Sequence, residues 1–215
     1  MNKIQLTDMH LGRVDEADDA LFYQTPRLVT HIDEAACKAL EGWYKDNLPS
    51  GLQILDLMSA WVSHLPGDLI YKRVCGLGMN STELKENRQL TDWLTQDLNK
   101  NPILPFEDDE FDACIIAVSV QYLIKPLEVF SEMARVIKPG GLAAISFSNR
   151  MFPTKAVAVW RAAAGPTDHA QLISWYFQNS VGFEAAEIAD ISPNPFETDP
   201  LYIVSARVSE RAHPK

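Results

Sequence analysis

The stretch LPFEDDEFDACIIAVSVQYLIKPLEVFSEMARVIKPGGLAAISF, residues 104 to 147, decides the fold. An acidic turn leads into the apolar run Ala113 to Val120, which predicts a buried strand. Apolar residues then recur at three- and four-residue spacing from Leu127 to Ile137, the pattern of a helix that Pro139-Gly140-Gly141 ends. A second apolar run, Leu142 to Phe147, follows. Two such runs with a helix between them predict parallel strands that are covered on both faces.

The rest of the chain shows the same alternation of short apolar runs and helical patterns. Further strands are predicted at Ile54 to Met58, Val74 to Leu77 and Tyr202 to Val208, and further helices at Leu28 to Trp43, Ala156 to Ala164 and Gln171 to Val181. The last two apolar stretches, near Phe183 to Ile191 and Leu201 to Val208, are joined by a Pro-rich loop. That loop is too short for a crossover helix, so it predicts an antiparallel hairpin.

Residues 1 to 25 are polar and acidic and show no sustained period, which is typical of a mobile or cap-like lead segment. We therefore expect a single globular α/β unit with an N-terminal cap and helix over residues 1–50 and the sheet-containing domain over residues 51–215.

Composition narrows the classes of partner and compartment. The chain has 215 residues, 47% hydrophobic and 22% charged, which is typical of a globular protein and excludes wholesale disorder. Its formal net charge of −10 disfavours nucleic acid as a partner. No apolar run reaches the roughly 18 residues of a membrane span, and the start of the chain lacks a signal peptide pattern. Cys37, Cys75 and Cys114 form no CxxC pair, so we expect reduced, buried thiols and a cytoplasmic protein without a membrane partner.

Two predicted strands end in residues that suit a ligand site. Asp56 lies at the end of the first strand, where open α/β sheets bind ligands, although it equally suits a cap for a following helix. Gly76 and Gly78 in the second strand would let a flat ring approach the backbone, and Asn80 with Glu83 forms the pattern of a capping box. Because no glycine follows at the third position beyond Gly78, a nicotinamide or flavin cofactor is not expected.

The order of these features resembles the class I S-adenosylmethionine-dependent methyltransferases, in particular their type 11 branch. The resemblance is carried by ILDL at 54 to 57, QDL at 96 to 98, the stretch from 104 to 123 and the helix EVFSEMARVIKPGG at 128 to 141. It implies a Rossmann-like, doubly wound sheet of seven strands with the last one antiparallel, and S-adenosylmethionine as the cofactor.

The resemblance also implies a set of cofactor-binding residues. Asp56 and the turn Met58-Ser59-Ala60 would lie beside the methionine moiety, Gly78, Met79 and Asn80 beside the ribose, Asp97 and Leu98 beside the adenine, and Val118 and Ser119 at the mouth for methyl transfer.

Two departures from the family pattern concern the cofactor. The glycine-rich loop after the first strand is replaced here by MSAWVSH, residues 58 to 64, whose side chains would narrow the approach to the cofactor. The acid that grips the ribose hydroxyls is replaced by Gly78, so that Asn80 is the nearest polar substitute.

Acceptor-binding candidates lie elsewhere. The segment SFSNRMFPTK, residues 146 to 155, resembles one in a subgroup of these enzymes that also carries the lead Phe-Tyr-x-x-Pro-Arg, here residues 22 to 27. We assign Asn149, Arg150 and Tyr122 as catalytic candidates and Tyr23 and Arg27 as substrate-binding candidates, because guanidinium and amide groups bind carboxylate or phosphate.

Each of these candidates has a structural alternative. The arginines and Asn149 would equally pair with acids on neighbouring loops, and Tyr122 would equally be a packed aromatic. His31 and Asp33 are two positions apart, which would put them on different faces of a helix, so His31 suits a surface more than an acid/base pair. The isolated His64 and His169 predict no metal site.

The sequence thus predicts a methyltransferase that acts on a small molecule or a protein side chain by in-line transfer, a reaction that needs alignment more than a nucleophile. The alternative is a catalytically degenerate member that serves as a binding or interaction module. A nucleic acid acceptor is disfavoured, since the segment after the fourth strand lacks the paired prolines and aromatic suited to a flipped base.

Overall fold

The computed structural model describes residues 6–210. Residues 1–5 of the predicted cap and residues 211–215 of the predicted domain lie outside the described residues. Seven strands form one sheet in the order β3-β2-β1-β4-β5-β7-β6. The strands are β1 (Gln53–Leu57), β2 (Arg73–Gly78), β3 (Asp92–Thr95), β4 (Phe111–Ala117), β5 (Ile137–Phe147), β6 (Glu187–Asp190) and β7 (Tyr202–Arg207).

The strand directions confirm the predicted Rossmann-like topology. Strands β1 to β5 run parallel to one another, and β7 runs antiparallel to both β5 and β6. The carboxyl ends of β1 to β5 therefore meet at one edge of the sheet, which is where sheets of this type bind ligands.

Seven α-helices accompany the sheet within residues 6–210. They are α1 (Asp8–Leu11), α2 (Asp19–Phe22), α3 (Glu34–Asn47), α4 (Ser81–Glu86), α5 (Pro126–Val136), α6 (Ala158–Ala162) and α7 (Pro166–Asn179), and a 3-10 turn spans Val120–Tyr122. Leu40 and Tyr44 of α3 are buried in a cluster on one face of the sheet. Phe130 of α5 and Phe177 of α7 are buried in a second cluster on the opposite face. The sheet is thus covered on both sides, as predicted.

Several predicted boundaries are wrong, helix α7 for instance beginning at Pro166 rather than Gln171, and three of them have a clear local reason. Helix α3 begins at Glu34 rather than Leu28, because the Asp33 carboxylate accepts the amide hydrogen of Ala36 at 2.8 Å and starts the helix there. Strand β4 ends at Ala117 instead of Val120, because the backbone turns at the next residue.

The third wrong boundary lies between α5 and β5. Helix α5 ends at Val136, and Ile137 already pairs with Phe111 of β4. The segment Pro139-Gly140-Gly141 therefore lies inside β5, at an irregularity of the register, with Gly140 at φ 76°.

The connection between β1 and β2 contains no helix. Residues 58–72 form an irregular loop, although parallel strands are usually joined through a helix. The end of β1 consequently has no helix N-terminus beyond it, which sets this first crossover apart from the one through α5.

The lead segment is a cap in the described residues. The carbonyl of Gly12 accepts a hydrogen bond from the amide of Ala158 at 2.8 Å, and the carbonyl of Thr154 accepts one from the amide of Asp15 at 2.9 Å. Both bonds tie the segment to the chain that follows β5, more than 100 positions away. The missing periodicity therefore reflects an irregular backbone held by distant partners, so the cap-like interpretation is the right one for this part of the chain.

The three cysteines form no disulfide; Cys75 and Cys114 are buried and Cys37 is partly buried. Within residues 6–210, every helix falls short of the length and apolar content that crossing a bilayer requires.

Candidate functional site

A cavity of about 510 Å³ lies at the carboxyl edge of the sheet. Its walls come from the ends of β1 to β4, from the segment after β5 and from the N-terminal cap. Ligand cavities in proteins typically enclose about 300–1,000 Å³, so this one has the size of a small-molecule site.

The cavity brings together nearly all the residues that the sequence singled out. Its lining includes Tyr23, Arg27, Met58, Ser59, Ala60, Gly78, Met79, Asn80, Asp97, Leu98, Val118, Ser119, Tyr122, Asn149 and Arg150. Of the candidate site residues, Asp56 alone does not line it.

Asp56 is instead the centre of a buried hydrogen-bond network. Its Oδ2 accepts the hydroxyl hydrogens of Ser59 and Ser63, each at 2.6 Å, and Asn87 donates to the Ser63 hydroxyl at 2.9 Å. Burial raises the pKa of Asp56 to about 6 against the two serine hydroxyls, which lower it. Asp56 does not cap a helix either, as the alternative interpretation required, since no helix follows β1. Asp56 fixes the loop after β1 and reaches the cavity only through that loop.

The loop after β1 crosses directly over the end of β2. The amide of Ser59 donates to the carbonyl of Leu77 at 2.9 Å, and a Cβ added to Gly78 would overlap the carbonyl oxygen of Ser59. A Cβ on Gly76 would likewise run into the side chain of Leu90. The expectation that these glycines admit a flat ring is therefore wrong, because protein atoms already fill the space they leave.

Bulky side chains in this loop leave the cavity open. Met58 lines it with φ 58°, a left-handed conformation that favours glycine. Trp61 is turned away, with its indole Nε1 donating to the carbonyl of Val29 at 2.9 Å. Met58, Ser59 and Ala60 are thus the loop residues that line the cavity, and Trp61 does not narrow it.

The polar groups beside β2 are already engaged. The Asn80 Oδ1 accepts the amide hydrogens of Thr82 and Glu83, and its Nδ2 donates to the carbonyls of Tyr23 and Gln24. All the hydrogen-bonding groups of this amide that could meet a ribose therefore already have protein partners.

Glu83 is an acid in the lining that the sequence analysis treated only as part of a capping box. Its Oε1 accepts the backbone amide hydrogen of Arg27 at 2.6 Å, and burial raises its pKa. The Glu83 carboxylate thus lies near the end of β2, where Gly78 replaces the acid of the family pattern. Of the predicted capping box, the hydrogen bond from the Glu83 amide to the Asn80 side chain is formed.

The end of β3 presents Asp97 and Leu98 as the sequence predicted. The Asp97 Oδ1 accepts the amide hydrogen of Asn99 at 2.9 Å, which fixes the turn. Asn99 in turn donates to the Asp19 carboxylate and to the carbonyl of Tyr122, and so joins the β3 end to the cap and to the β4 end.

The end of β4 is strained. Val118 has φ 42°, which is a rare conformation for a β-branched residue and is typically found at functional sites. The hydroxyl of the next residue, Ser119, is shielded from solvent and has no hydrogen-bond partner among the described residues. Tyr122 is buried, stacks on Phe152 and accepts the Phe152 amide hydrogen at 2.8 Å, which supports its interpretation as a packed aromatic that also lines the cavity.

The cap contributes a buried ion cluster to the wall. Asp19 is 4% exposed, and its carboxylate contacts Arg13 at 2.7 Å and the ammonium of Lys155 at 3.0 Å. Burial tends to raise the pKa of Asp19, but hydrogen bonds from Arg13, Asn99 and Lys155 outweigh it and leave the pKa lowered. Asp19 therefore stays ionised at neutral pH.

The candidates after β5 lie at the cavity but are exposed. Arg150 is paired with Asp199 through a 3.6 Å contact, as the structural alternative anticipated, and its side chain remains 61% exposed. Asn149 accepts a hydrogen bond from the Ser148 hydroxyl at 3.3 Å. Both also line the cavity, so pairing and ligand contact are compatible here.

His31 is a further lining residue that was set aside as a surface histidine. It is exposed to solvent at one side, yet burial and the nearby positive charge of Arg27 lower its pKa. It precedes α3 and does not share a helix with Asp33, which caps that helix. The spacing argument against a pair of these residues therefore assumed the wrong helix start.

Known proteins resemble the chain in sequence. Residues 60–145 match the family described as a methyltransferase domain. The biotin biosynthesis bifunctional protein BioHC of Teredinibacter turnerae is 54% identical over 43 residues, which are 20% of this chain and 8% of that protein. The ubiquinone/menaquinone biosynthesis C-methyltransferase UbiE of Ruegeria sp. is 35% identical over 72 residues, 33% of this chain and 28% of that protein. The chain thus matches less than a third of the length of either relative.

Solved structures show the same fold at low identity. A methyltransferase from Aquifex aeolicus that depends on S-adenosylmethionine superposes with a TM-score of 0.59 at 16% identity, covering 82% of this chain and 94% of that one. The [4+2]-cyclase SpnF superposes with the same TM-score at 15% identity, covering 81% and 82%. Over residues 60–145 the chain is thus similar to a methyltransferase domain, and its sheet has the fold of these solved structures.

Proposed function

We propose that the chain binds S-adenosylmethionine in the 510 Å³ cavity and transfers its methyl group to a small molecule. The observation that carries the proposal is the convergence of the ends of β1 to β4 on one cavity of ligand size. Each of these ends contributes residues that the family resemblance assigns to the cofactor, and they come from positions as distant as Met58 and Ser119.

The lining suits this cofactor in size and charge. The cavity volume lies within the range of small-molecule sites, and the lining includes the acids Asp97 and Glu83, which complement a positively charged sulfonium nucleoside. Asp97 and Leu98 would hold the adenine, and the turn from Met58 to Ala60 the methionine moiety. Glu83 would take the place of the missing ribose-binding acid, because the side-chain amide of Asn80 is fully engaged by protein groups.

When bound, the cofactor supplies an electrophilic methyl group for an in-line displacement. The chain would orient the acceptor and exclude water from it, using the aromatic wall of Tyr23, Tyr122 and Phe152. Burial raises the pKa of both tyrosines, so their hydroxyls keep their protons at neutral pH and can only donate to or accept from a ligand. The neutral His31 ring, whose pKa is lowered, can accept a proton when the acceptor must lose one.

A small-molecule acceptor agrees with the rest of the chain. The net charge of −10 works against binding a nucleic acid, and the cavity lies beneath the cap rather than on an open face. The three unpaired cysteines support a reducing, cytoplasmic location.

Calorimetry with S-adenosylmethionine and its demethylated product tests the proposal directly. We expect micromolar binding of both to the native chain. Asp97→Asn should weaken it at least tenfold, because the charge is removed while the amide oxygen can still accept the Asn99 amide hydrogen. Asp46→Asn, which removes an exposed charge outside the cavity lining, should leave both affinities within twofold.

If neither compound gives detectable heat, the proposal is wrong and the degenerate binding module is favoured. Binding without turnover would defeat the proposed methyl transfer, because the same fold also occurs in the [4+2]-cyclase SpnF. The second readout is therefore formation of the demethylated product when the chain is incubated with a mixture of small metabolites.

A further inference from the structure

Arg27 is a cation in the cavity wall that forms no ion pair with an acid of residues 6–210. Its Nη2 donates to the carbonyl of Phe22 at 2.9 Å, while its Nη1 is shielded from solvent and has no hydrogen-bond partner within residues 6–210. Glu83, the acid beside it, accepts from the backbone amide of Arg27 and forms no ion pair with the guanidinium.

The other cations of this region are all neutralised. Arg13 and Lys155 share the carboxylate of Asp19, Lys155 also contacts Asp15 at 3.1 Å, and Arg150 lies 3.6 Å from Asp199. A shielded charge without a partner is costly, so its presence in a cavity wall points to a ligand that completes it.

Aromatic rings hold the Arg27 guanidinium in place. Its central carbon lies 4.5 Å from the centre of the Phe22 ring and 5.2 Å from that of Phe152. Rings in these positions stabilise a cation through its faces, so the in-plane N–H groups not engaged by the carbonyl of Phe22 remain to donate to a ligand. The donor group is thus fixed before a ligand arrives, which reduces the entropy lost on binding.

We propose that the acceptor carries a carboxylate or phosphate group and that Arg27 binds this oxyanion. The inference rests on the proposed function, which it deepens by naming the chemical class of the acceptor. The oxyanion matches the planar guanidinium, whose two N–H edges suit carboxylate and phosphate alike. Ser119, whose shielded hydroxyl has no hydrogen-bond partner among the described residues, lines the same cavity.

The acids of the cavity do not cancel this positive charge. Asp19 is held by two cations, and Glu83 accepts a backbone hydrogen bond, while Asp97 lies at the end of β3 with Lys100 at 4.0 Å. Arg27 is therefore a cation of the cap wall that interacts with the charge of Glu83 without forming an ion pair with it.

Binding of simple oxyanions to the chain without cofactor tests the inference. The probes are 4-fluorobenzoate, inorganic phosphate and the neutral 4-fluorobenzamide, followed by ligand-observed NMR at constant ionic strength. We expect millimolar or tighter binding of at least one anion and none of the amide. Arg27→Met, which keeps an apolar stem between the rings, should weaken anion binding at least tenfold. Arg88→Met removes an exposed arginine outside the lining and should change it less than twofold.

The outcomes separate the two sources of the oxyanion and the two proposals. Selective binding of fluorobenzoate identifies a carboxylate acceptor, and selective binding of phosphate identifies a phosphate ester. Failure of both anions to bind, or equal binding to a folded Arg27→Met variant, would overturn the inference. If the native chain fails to bind the cofactor while anion binding still depends on Arg27, the proposed methyl transfer fails and the oxyanion site stands.

Discussion

The carbonyl oxygen of Ser59 occupies the space that a Cβ on Gly78 would need. The loop that leaves β1 lies against the end of β2 through this contact and through the hydrogen bond from the Ser59 amide to Leu77. The position of the first wall of the cavity is therefore set by a glycine in a neighbouring strand and by no helix of its own.

Gly78→Ala should destabilise the protein by about 2 kcal/mol or more, because the added methyl group meets backbone atoms that cannot rotate away. Urea unfolding measures the change. Gly42→Ala is the matched control, since Gly42 is exposed in helix α3 with open space around it, and it should stabilise by about 0.5–1 kcal/mol. Equal effects of the two substitutions would show that the loop moves freely away from β2.

A comparison of two substitutions at Val118 isolates the strain at the end of β4. Both Val118→Gly and Val118→Ala remove most of the side chain, but only glycine adopts a φ of 42° without a steric penalty. We expect the glycine variant to be more stable than the alanine variant by about 1 kcal/mol in thermal unfolding. In an ordinary strand the order is reversed, so a more stable alanine variant would show that the backbone is relaxed here.

The sequence could predict the sheet but not the orientation of side chains at its edge. Apolar runs and turn signals depend on neighbours in the chain, so the βαβ unit and the final hairpin were within reach. Asp56 lies on a strand whose side chains alternate between faces, and only the register with β2 and β4 decides what its carboxylate meets.

The cap was beyond local patterns for a related reason. Asp19, Glu83 and Arg27 find partners 56 to 136 positions away, through ion pairs and hydrogen bonds that leave no periodicity in the sequence. The sequence offered one sign of this cluster: Asp19, an acid without an assigned role, stands shortly before the segment Phe22 to Arg27.

The Asp56 carboxyl should make stability depend on pH. Its folded-state pKa of about 6 lies above the ordinary 3.8, so the folded protein holds this proton more tightly than the unfolded chain does. Its contribution to stability is therefore complete below pH 4 and is lost as the pH rises through about 6, by on the order of 2–3 kcal/mol.

Asp56→Asn removes this titration while its amide oxygen can still accept the two serine hydroxyls. The measurement is the difference in unfolding free energy between the native chain and the variant at several pH values. We expect the native chain to lose stability relative to the variant between pH 4 and pH 7. A constant difference would mean that Asp56 does not titrate in this range.

Lys155 should be the strongest single tie between the cap and the segment after β5. Its fully buried ammonium contacts Asp15 at 3.1 Å and Asp19 at 3.0 Å, and donates to the carbonyl of Ala17 at 2.9 Å. Lys155→Met should destabilise by about 3–5 kcal/mol, because it leaves buried acceptors and part of a carboxylate charge without a partner. Chemical denaturation measures this loss.

Hydrogen exchange locates the effect of the same substitution. Amides of residues 13–19 should exchange faster in Lys155→Met, while those of β4 keep their protection relative to the global stability. Lys138→Met provides the control, since the ion pair of Lys138 with Asp112 is partly exposed and should contribute only about 0–1 kcal/mol. If both lysine variants lost equally little, the cap would be held by its backbone hydrogen bonds, and the positions of Tyr23 and Arg27 in the cavity wall would not depend on the buried charge.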